Sequence, residues 1–418
     1  MVTATRRGLA ALGTGLLAEP ALAQSSGAPV RVGATYPLSG AVASAGTALR
    51  DALEVALDIV NNPHEGLAKL PLATTTGLPN LGGRKVELVF ADHQGNPAAA
   101  QNQTVRLITQ ERVVAMVGAY QSSATLTSSA VAERYGIPFV AGEASAPSLT
   151  ARGFHWFFRP TPIGTHFGAA YGDFLGLAAG RGVPVNSVAV VNENTEYGTS
   201  TGDAIIQALQ GKGIRVAPRI PYAANSSDVS AQVLQLKEAR PDAVVFVSYT
   251  SDSILYMRTL RNLDYRPPIL IGDDSGFSDA SFIQSVGDLA EGAINRSSWD
   301  AGQPGSTSFQ VNEIYRRRTG RDMDDTSARG MQGFLSLCEA INRAGGTEPA
   351  RIQAALRATD LKADQLMIGY NGIKYGPDGQ NELAATLLVQ LRDRRYVTVW
   401  PQAAAAAEPR LPFPGWVR

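Results

Sequence analysis

Residues 113–142 read VVAMVGAYQSSATLTSSAVAERYGIPFVAG. An apolar run, Val113 to Tyr120, passes directly into a hydroxyl-rich turn, Gln121-Ser122-Ser123-Ala124-Thr125. The turn opens a segment with helical character, Ser122 to Tyr135, and a second short apolar run, Ile137 to Gly142, closes the unit. Strand, helix, strand in so short a span is the building block of a parallel α/β sheet. The strands are apolar throughout rather than alternating, so both of their faces are expected to be covered.

The same alternation extends outward in both directions. Upstream, Val30 to Tyr36 and Lys85 to Ala91 read as strands. Between them, Ser44 to Val60 puts Leu49, Leu53, Ala56 and Val60 on one helical face, and Pro97 to Thr109 is a helix with proline in its first turn. Asn61 to Gly83, rich in Pro, Gly and Thr, reads as a long surface loop. After Phe154 to Pro160 a second cycle begins. Strands are expected at Ser187 to Val191, Arg215 to Tyr222, Ala243 to Tyr249 and Ile269 to Gly272. Helices at Thr199 to Leu209, Val229 to Ala239 and Asp252 to Leu263 separate them. Phe309 to Arg318 and Ser327 to Ala344 are further helices, Ala384 to Leu391 with Tyr396 to Trp400 a closing hairpin. The tail beyond Pro401 is expected to pack poorly. Two consecutive doubly wound α/β units therefore account for most of the chain.

Composition bounds the function. The chain has 418 residues, 44% hydrophobic and 18% charged, which is globular and long enough for two domains. Lys+Arg 37 against Asp+Glu 37 leaves no global field for nucleic acid or an anionic membrane. Cys338 is the one cysteine, so neither an intramolecular disulfide nor a cysteine-based metal cluster can form, and the histidines His64, His93, His155 and His166 lack metal-ligand spacing. No metal and no cofactor is expected. At the N-terminus, Arg6 and Arg7 precede a short apolar stretch, Gly8 to Ala18, and then Ala21-Leu22-Ala23, the small-x-small pattern of a signal peptidase site. Residues 1–23 are read as a signal peptide, with the mature chain starting near Gln24 outside the cytoplasm. Thr5-Arg6-Arg7-Gly8-Leu9 also resembles a twin-arginine signal. An ordinary secretory signal with two adjacent arginines is the alternative. No cysteine stands near the cleavage site to carry a lipid.

The dinucleotide fingerprint, the phosphate loop, the nucleophile elbow and the H-E-x-x-H helix are all missing, which points away from an enzyme. In open α/β sheets ligands collect beyond the carboxyl ends of the strands. Reading those positions gives Ser122 and Ser123 after one strand and Glu143-Ala144-Ser145 after the next. Both are small polar turns whose free N–H groups and hydroxyls suit a carboxylate, or else cap a helix. The second unit offers Tyr197-Gly198, Ser248-Tyr249-Thr250 and Asp273-Asp274 in the equivalent places. Their alternative readings are packing over a loop and helix capping. Anion-binding turns on one side and aromatics with a carboxylate on the other suit a zwitterion held between two lobes.

These residues carry a resemblance. Gly33-Ala34-Thr35-Tyr36-Pro37-Leu38-Ser39-Gly40, Ala91-Asp92-His93-Gln94, Val117-Gly118 through Thr125, Ala146 to Thr150, Phe158-Arg159, Glu196-Tyr197-Gly198 and Tyr370 to Tyr375 stand in the order of the leucine/isoleucine/valine-binding protein family, the type I periplasmic solute-binding proteins of ABC transporters. The resemblance runs from about Val30 to Trp400. It implies two doubly wound lobes joined by a three-strand hinge: 28–159 with 298–383 as the N-terminal lobe, and 160–297 with 384–418 as the C-terminal lobe. It further implies a periplasmic, monomeric binding protein that delivers an amino acid, branched-chain-type or related, to a membrane permease, without catalysis. By resemblance Ser122, with Ser123 beside it, meets the ligand carboxylate. Ser145 meets carboxylate and amine, with backbone of Glu143 or Ala144 assisting. Tyr197 and Tyr249 cover the ligand, and Asp274, with Asp273 as rival, takes the ammonium. Two departures bear on the ligand. Ala45 stands where the aliphatic amino-acid binders often carry an aromatic, and Glu143 brings a carboxylate into a turn that is often uncharged. An amide, urea or aromatic acid as ligand, or a sensing role beside a membrane receptor, are the alternatives the same fold allows.

Overall fold

A computed structural model describes residues 1–3, 27–273 and 275–416. The signal-peptide reading and Asp274 lie outside the described residues. The first sheet is parallel, in the order β2-β1-β3-β4-β5. Its strands and helices alternate as β1 Val30–Tyr36, α1 Ala43–Asn61, β2 Val86–Asp92, α2 Pro97–Thr109, β3 Ala115–Gly118, α3 Ser122–Tyr135, β4 Phe139–Val140 and β5 Phe157–Phe158. The chain then crosses into a second layered unit: α4 Gly164–Gly180, β6 Ser187–Glu193, α5 Glu196–Gly211, β7 Arg215–Tyr222, α6 Ser230–Ala239, β8 Ala243–Val247, α7 Thr250–Asn262 and β9 Ile269–Asp273. A four-residue turn, α8 Ser275–Ser278, and α9 Ala280–Val286 lead to β10 Ile294–Ser297.

From β10 the chain returns to the first unit. Helices α10 Thr307–Thr319 and α11 Asp325–Ala344 pack on α1. Then follow α12 Pro349–Arg357 and a small antiparallel pair, β11 Asp360–Lys362 with β12 Gly372–Lys374. A last crossing leads to the antiparallel hairpin β13 Leu387–Arg392 and β14 Arg395–Trp400 on the edge of the second sheet. That sheet runs β14-β13-β10-β9-β8-β6-β7. This is the type I periplasmic binding protein fold, two α/β lobes whose chain passes between them after β5, after β10 and again before β13.

Most strand and helix positions read from the sequence are where the structure has them. Two are corrected. The stretch 61–83 is not a plain surface loop: Leu67, Leu70, Ala73 and Leu78 are buried, and the two short 3₁₀ turns Glu65–Leu67 and Pro79–Leu81 lie within it. Its apolar side chains fasten it to the α1 core, an anchor that Pro and Gly content alone hides. The tail is not loose either. Phe413 and Trp416 are buried in the core of the second unit, and the Phe413 N–H donates to the Pro268 carbonyl at 2.6 Å. Two aromatic side chains bury enough apolar surface to order a proline-rich segment. Among the described residues, no helix is long and apolar enough to cross a membrane.

Candidate functional site

The carboxyl ends of the two sheets face each other, and the residues beyond them meet. β3 ends at Gly118, whose φ of +138° turns the chain sharply, and Tyr120 at φ +66° completes the turn into α3. A side chain at Gly118 would strike the Thr35 carbonyl at 2.4 Å, so the turn is built on that glycine. It delivers Ser122 as the first residue of α3, where no side chain caps the helix. The Ser122 hydroxyl instead accepts from the Ala146 N–H at 3.3 Å, tying α3 to the turn after β4. Ser122 is buried, whereas Ser123 is half-buried one position further round the helix.

The turn after β4 carries Glu143, Ala144 and Ser145, all 1% exposed. Its carbonyls are already in use: Glu143 O accepts from Arg329 Nη1 at 2.7 Å, and Ala144 O from Arg159 Nη1 at 3.3 Å. The backbone assistance expected of these residues therefore starts from engaged carbonyls. The Ser145 hydroxyl, by contrast, has no hydrogen-bond partner. A buried hydroxyl left unmade is costly, and a ligand oxygen or N–H would satisfy it. Glu143 Oε1 accepts from the Tyr36 hydroxyl at 3.0 Å, while Oε2 has no partner. Burial pushes this carboxyl up to about 7, against the Tyr36 hydroxyl and the Arg329 guanidinium that pull it down.

From the second sheet, Tyr197 opens α5 and Tyr249 caps α7, with ring centroids 5.1 Å apart. Tyr120 from the first sheet stands 5.8 Å from Tyr249, so three rings close the gap between the sheets. Asp273, at the end of β9, is fully buried. The Tyr197 hydroxyl lies 2.8 Å from its Oδ2 and 2.8 Å from its carbonyl, and the Tyr171 hydroxyl donates to Oδ1. Arg296 Nε is 3.6 Å from the same oxygen. Arg296 in turn reaches Asp325 at 3.4 Å, and Arg329 reaches Asp325 at 2.9 Å. The Arg296 guanidinium also lies 4.0 Å from the centre of the Phe167 ring. Ion pairs this deep persist only when each charge is matched, and here Asp273, Arg296, Asp325 and Arg329 alternate in sign from β9 to α11.

Ser122, Glu143, Ala144 and Ser145 are thus gathered at the edge of one sheet, and Tyr197 and Tyr249 at the edge of the other. Sequence reading missed Tyr120, Tyr171, Asp325, Arg296 and Arg329. Asp325 and Arg329 stand i, i+4 at the start of a helix whose other residues are largely buried, a signal that was there to be read. Arg296 gave none, because its four-residue strand was not recognised as one. Two cavities, of about 670 and 440 Å³, lie apart from the serines and tyrosines of this cluster, the smaller one bordered by Asp325. The faces between the sheets are in contact, so the cluster itself is closed over. Among the described residues no group of His, Cys, Asp and Glu has the arrangement of a metal site.

Two α/β lobes with polar turns and aromatics converging between them define a small-molecule binding protein of the hinged, two-lobed class. The chain belongs to the periplasmic binding protein family, whose model matches residues 29–394. It is 31% identical to Leu/Ile/Val-binding protein homolog 8 of Brucella abortus (strain 2308), over 92% of this chain and 93% of that one. Among solved structures, it superposes on the branched-chain amino acid transporter substrate-binding protein LivJ of Streptococcus pneumoniae, in complex with isoleucine, with a TM-score of 0.74. Identity there is 18%, covering 92% of this chain and 100% of that one. It superposes equally, at 0.74 and 18% identity over 91% and 98%, on a solute-binding protein of an ABC transporter from Rhodopseudomonas palustris in complex with benzoate. These two likenesses are of fold. The relatives are solute-binding proteins, and the family is one of periplasmic export.

Proposed function

We propose that this chain is the substrate-binding protein of an ABC importer, exported by its N-terminal signal, monomeric, and handing an amino acid to a membrane permease. Residues 28–159 with 298–383 form one lobe, 160–297 with 384–418 the other. The observation that carries the reading is the meeting of a free Ser145 hydroxyl and the Ser122 turn with the Tyr120, Tyr197 and Tyr249 rings across the lobe boundary. Ser122 and Ser145 bind the ligand carboxylate together with the first N–H groups of α3, Ser123 among them. Tyr197 and Tyr249 cover its body, and Asp274, with Asp273 as its rival, takes the ammonium. Ligand binds the open form and favours the closed one because it touches both lobes.

A second reading, an amide, urea or aromatic acid as ligand, is favoured by Asp273. That carboxylate is already matched by Arg296, Tyr171 and Tyr197, which lessens its call for a ligand ammonium. Three converging rings also suit a flat aromatic body. The benzoate complex of the R. palustris relative is consistent with it.

A thermal-shift and calorimetric screen of leucine, isoleucine, small amides and benzoate tests both readings. Ser122→Ala is expected to weaken any carboxylate ligand by about 1.5–3 kcal/mol, roughly tenfold or more. Unchanged affinity in that variant removes Ser122 from the site. Binding of benzoate without leucine selects the second reading, and binding of neither leaves importer function unsupported for both ligand classes.

A further inference from the structure

The 440 Å³ cavity lies between the lobes but apart from the cluster above. Its walls come from the 278–284 turn and helix and the β10, β13 and β14 strands of the second lobe, and from the 321–325 segment of the first. Asp325 lines it; Arg296, Arg329 and the serines and tyrosines of the cleft do not. Asn295 sits mid-strand in β10, in register with Gly272 of β9 and Val389 of β13. Strand alternation sends Asn295 and Ser297 to one face and Arg296 to the other, and it is Asn295 and Ser297 that line the cavity.

The Asn295 side chain is 1% exposed, and neither its Oδ1 nor its Nδ2 has a hydrogen-bond partner. Ser278, on the same cavity wall from the second lobe, leaves its buried hydroxyl unpartnered too. Burying a carboxamide with donor and acceptor both unmade is unfavourable, and such groups mark places where something else completes the bonding. The complement of an amide with both ends unmade is another primary amide, which accepts at its oxygen and donates at its nitrogen in one planar pair. Trp299, Met323 and Ile283 give the cavity an apolar wall beside it. The charges around it cancel: Arg321, Arg394 and Arg395 stand against Asp300, Asp322 and Asp324, and Asp325 is held by Arg296 and Arg329.

We infer that this cavity is a second ligand site, taking a small uncharged primary carboxamide with an apolar or aromatic body, its amide paired to Asn295. Because the walls belong to both lobes, an occupant favours the closed arrangement. Its affinity and that of the cleft ligand then change each other by the same factor. The inference stands independently of what the cleft binds.

Benzamide is the probe, with benzoate and benzylamine as charged counterparts of the same shape, titrated into the mature full-length protein. Benzamide is expected to raise the melting temperature by about 2 °C or more in wild type and equally in Ser122→Ala. Asn295→Leu removes both polar atoms and should bind benzamide at least about tenfold more weakly, while the unliganded variant melts no lower than wild type. Ile283→Trp fills the cavity from α9 and leaves Asn295 in place; it should abolish the shift, and it carries the test should Asn295→Leu fail to fold. Absence of a benzamide shift in wild type overturns the inference, as does a shift that survives Ile283→Trp. A shift that benzoate matches and Ser122→Ala abolishes assigns the binding to the cleft, and overturns it equally.

Discussion

Glu143 holds one oxygen on the Tyr36 hydroxyl and leaves the other without a partner, in a turn that is fully enclosed. Its carboxyl rises from 4.5 to about 7 because burial disfavours the charge more than Tyr36 and Arg329 favour it. The folded protein therefore keeps a proton there that the unfolded chain has already released. The stabilisation is complete below the unfolded value and is lost as pH rises through about 7. Stability should fall between about pH 5 and 8 by something on the order of 3 kcal/mol from this group. Glu143→Gln keeps the shape and cannot ionise, so it should flatten that slope. Urea melts of both proteins at the two pH values check this, and parallel slopes would exclude Glu143 as the source. That Ser122, Ser145, Tyr197 and Tyr249 stand at the sheet edges was legible because each lies in the turn or helix start beyond a strand's carboxyl end, where α/β sheets place their ligands. The groups that engage Asp273, Tyr171 and Arg296, and the Asp325 that Arg296 reaches in turn, arrive from elements far away in sequence, and local pattern says nothing of such encounters.

Among the elements that sequence periodicity passed over, α4 is the longest, and the reason is physical. Its residues Gly164, Gly168, Gly172, Gly176 and Gly180 recur every four positions, which lowers helix propensity and dilutes any amphipathic signal. The spacing instead makes a groove along one side of the helix. At Gly164 an added Cβ would come within 3.1 Å of Thr201 and Ala204; at Gly168 it would reach Ala208 at 2.6 Å and the Ile205 backbone at 2.9 Å. α5 lies in that groove, and this close approach sets where Tyr197 at its start can stand. Gly168→Ala should therefore cost about 1–3 kcal/mol through overpacking and weaken ligand binding as α5 shifts. Gly176 opposes the prediction usefully, because a Cβ there meets nothing within 4 Å. Gly176→Ala should stabilise by up to about 1 kcal/mol. Thermal melts of the pair decide the matter; equal effects in both would mean the groove is not tight. The strands and remaining helices were legible where an element presents a covered apolar run or a regular stripe. The short helices α9 and α12 and the strands β10, β11 and β12 were not, since elements of so few residues do not show a period.

At the scale of the whole molecule, the contact between lobes rests on few polar bonds outside the buried ion pairs. The Ser44 hydroxyl, at the start of α1, donates to Asp279 Oδ2 at 2.8 Å, and Asp279 at the same time caps α9 through Oδ1. On the far side the Ser148 hydroxyl donates to Glu196 at the start of α5. Ser44 itself is exposed and belongs to the rim, away from the serines and tyrosines assigned to the ligand. A bond of this kind contributes about 0.5–1.5 kcal/mol, so losing it shifts the ratio of closed to open molecules by roughly two- to thirteenfold. Since ligand is retained by the closed form, its apparent affinity falls by a similar factor. Ser44→Ala is thus expected to weaken every ligand the cleft accepts about equally, leaving their order of preference unchanged, whereas Ser122→Ala discriminates by carboxylate. Calorimetry on the ligands found by the screen gives the affinities. Small-angle scattering should show the liganded variant compacting as the wild type does, with a larger share of open molecules below saturation. If Ser44→Ala altered the order of preference, the rim would be part of the recognition site. If it altered nothing, closure would be held by the remaining contacts, the Ser148–Glu196 bond, the buried Arg296–Asp325 pair and the Tyr120–Tyr249 rings.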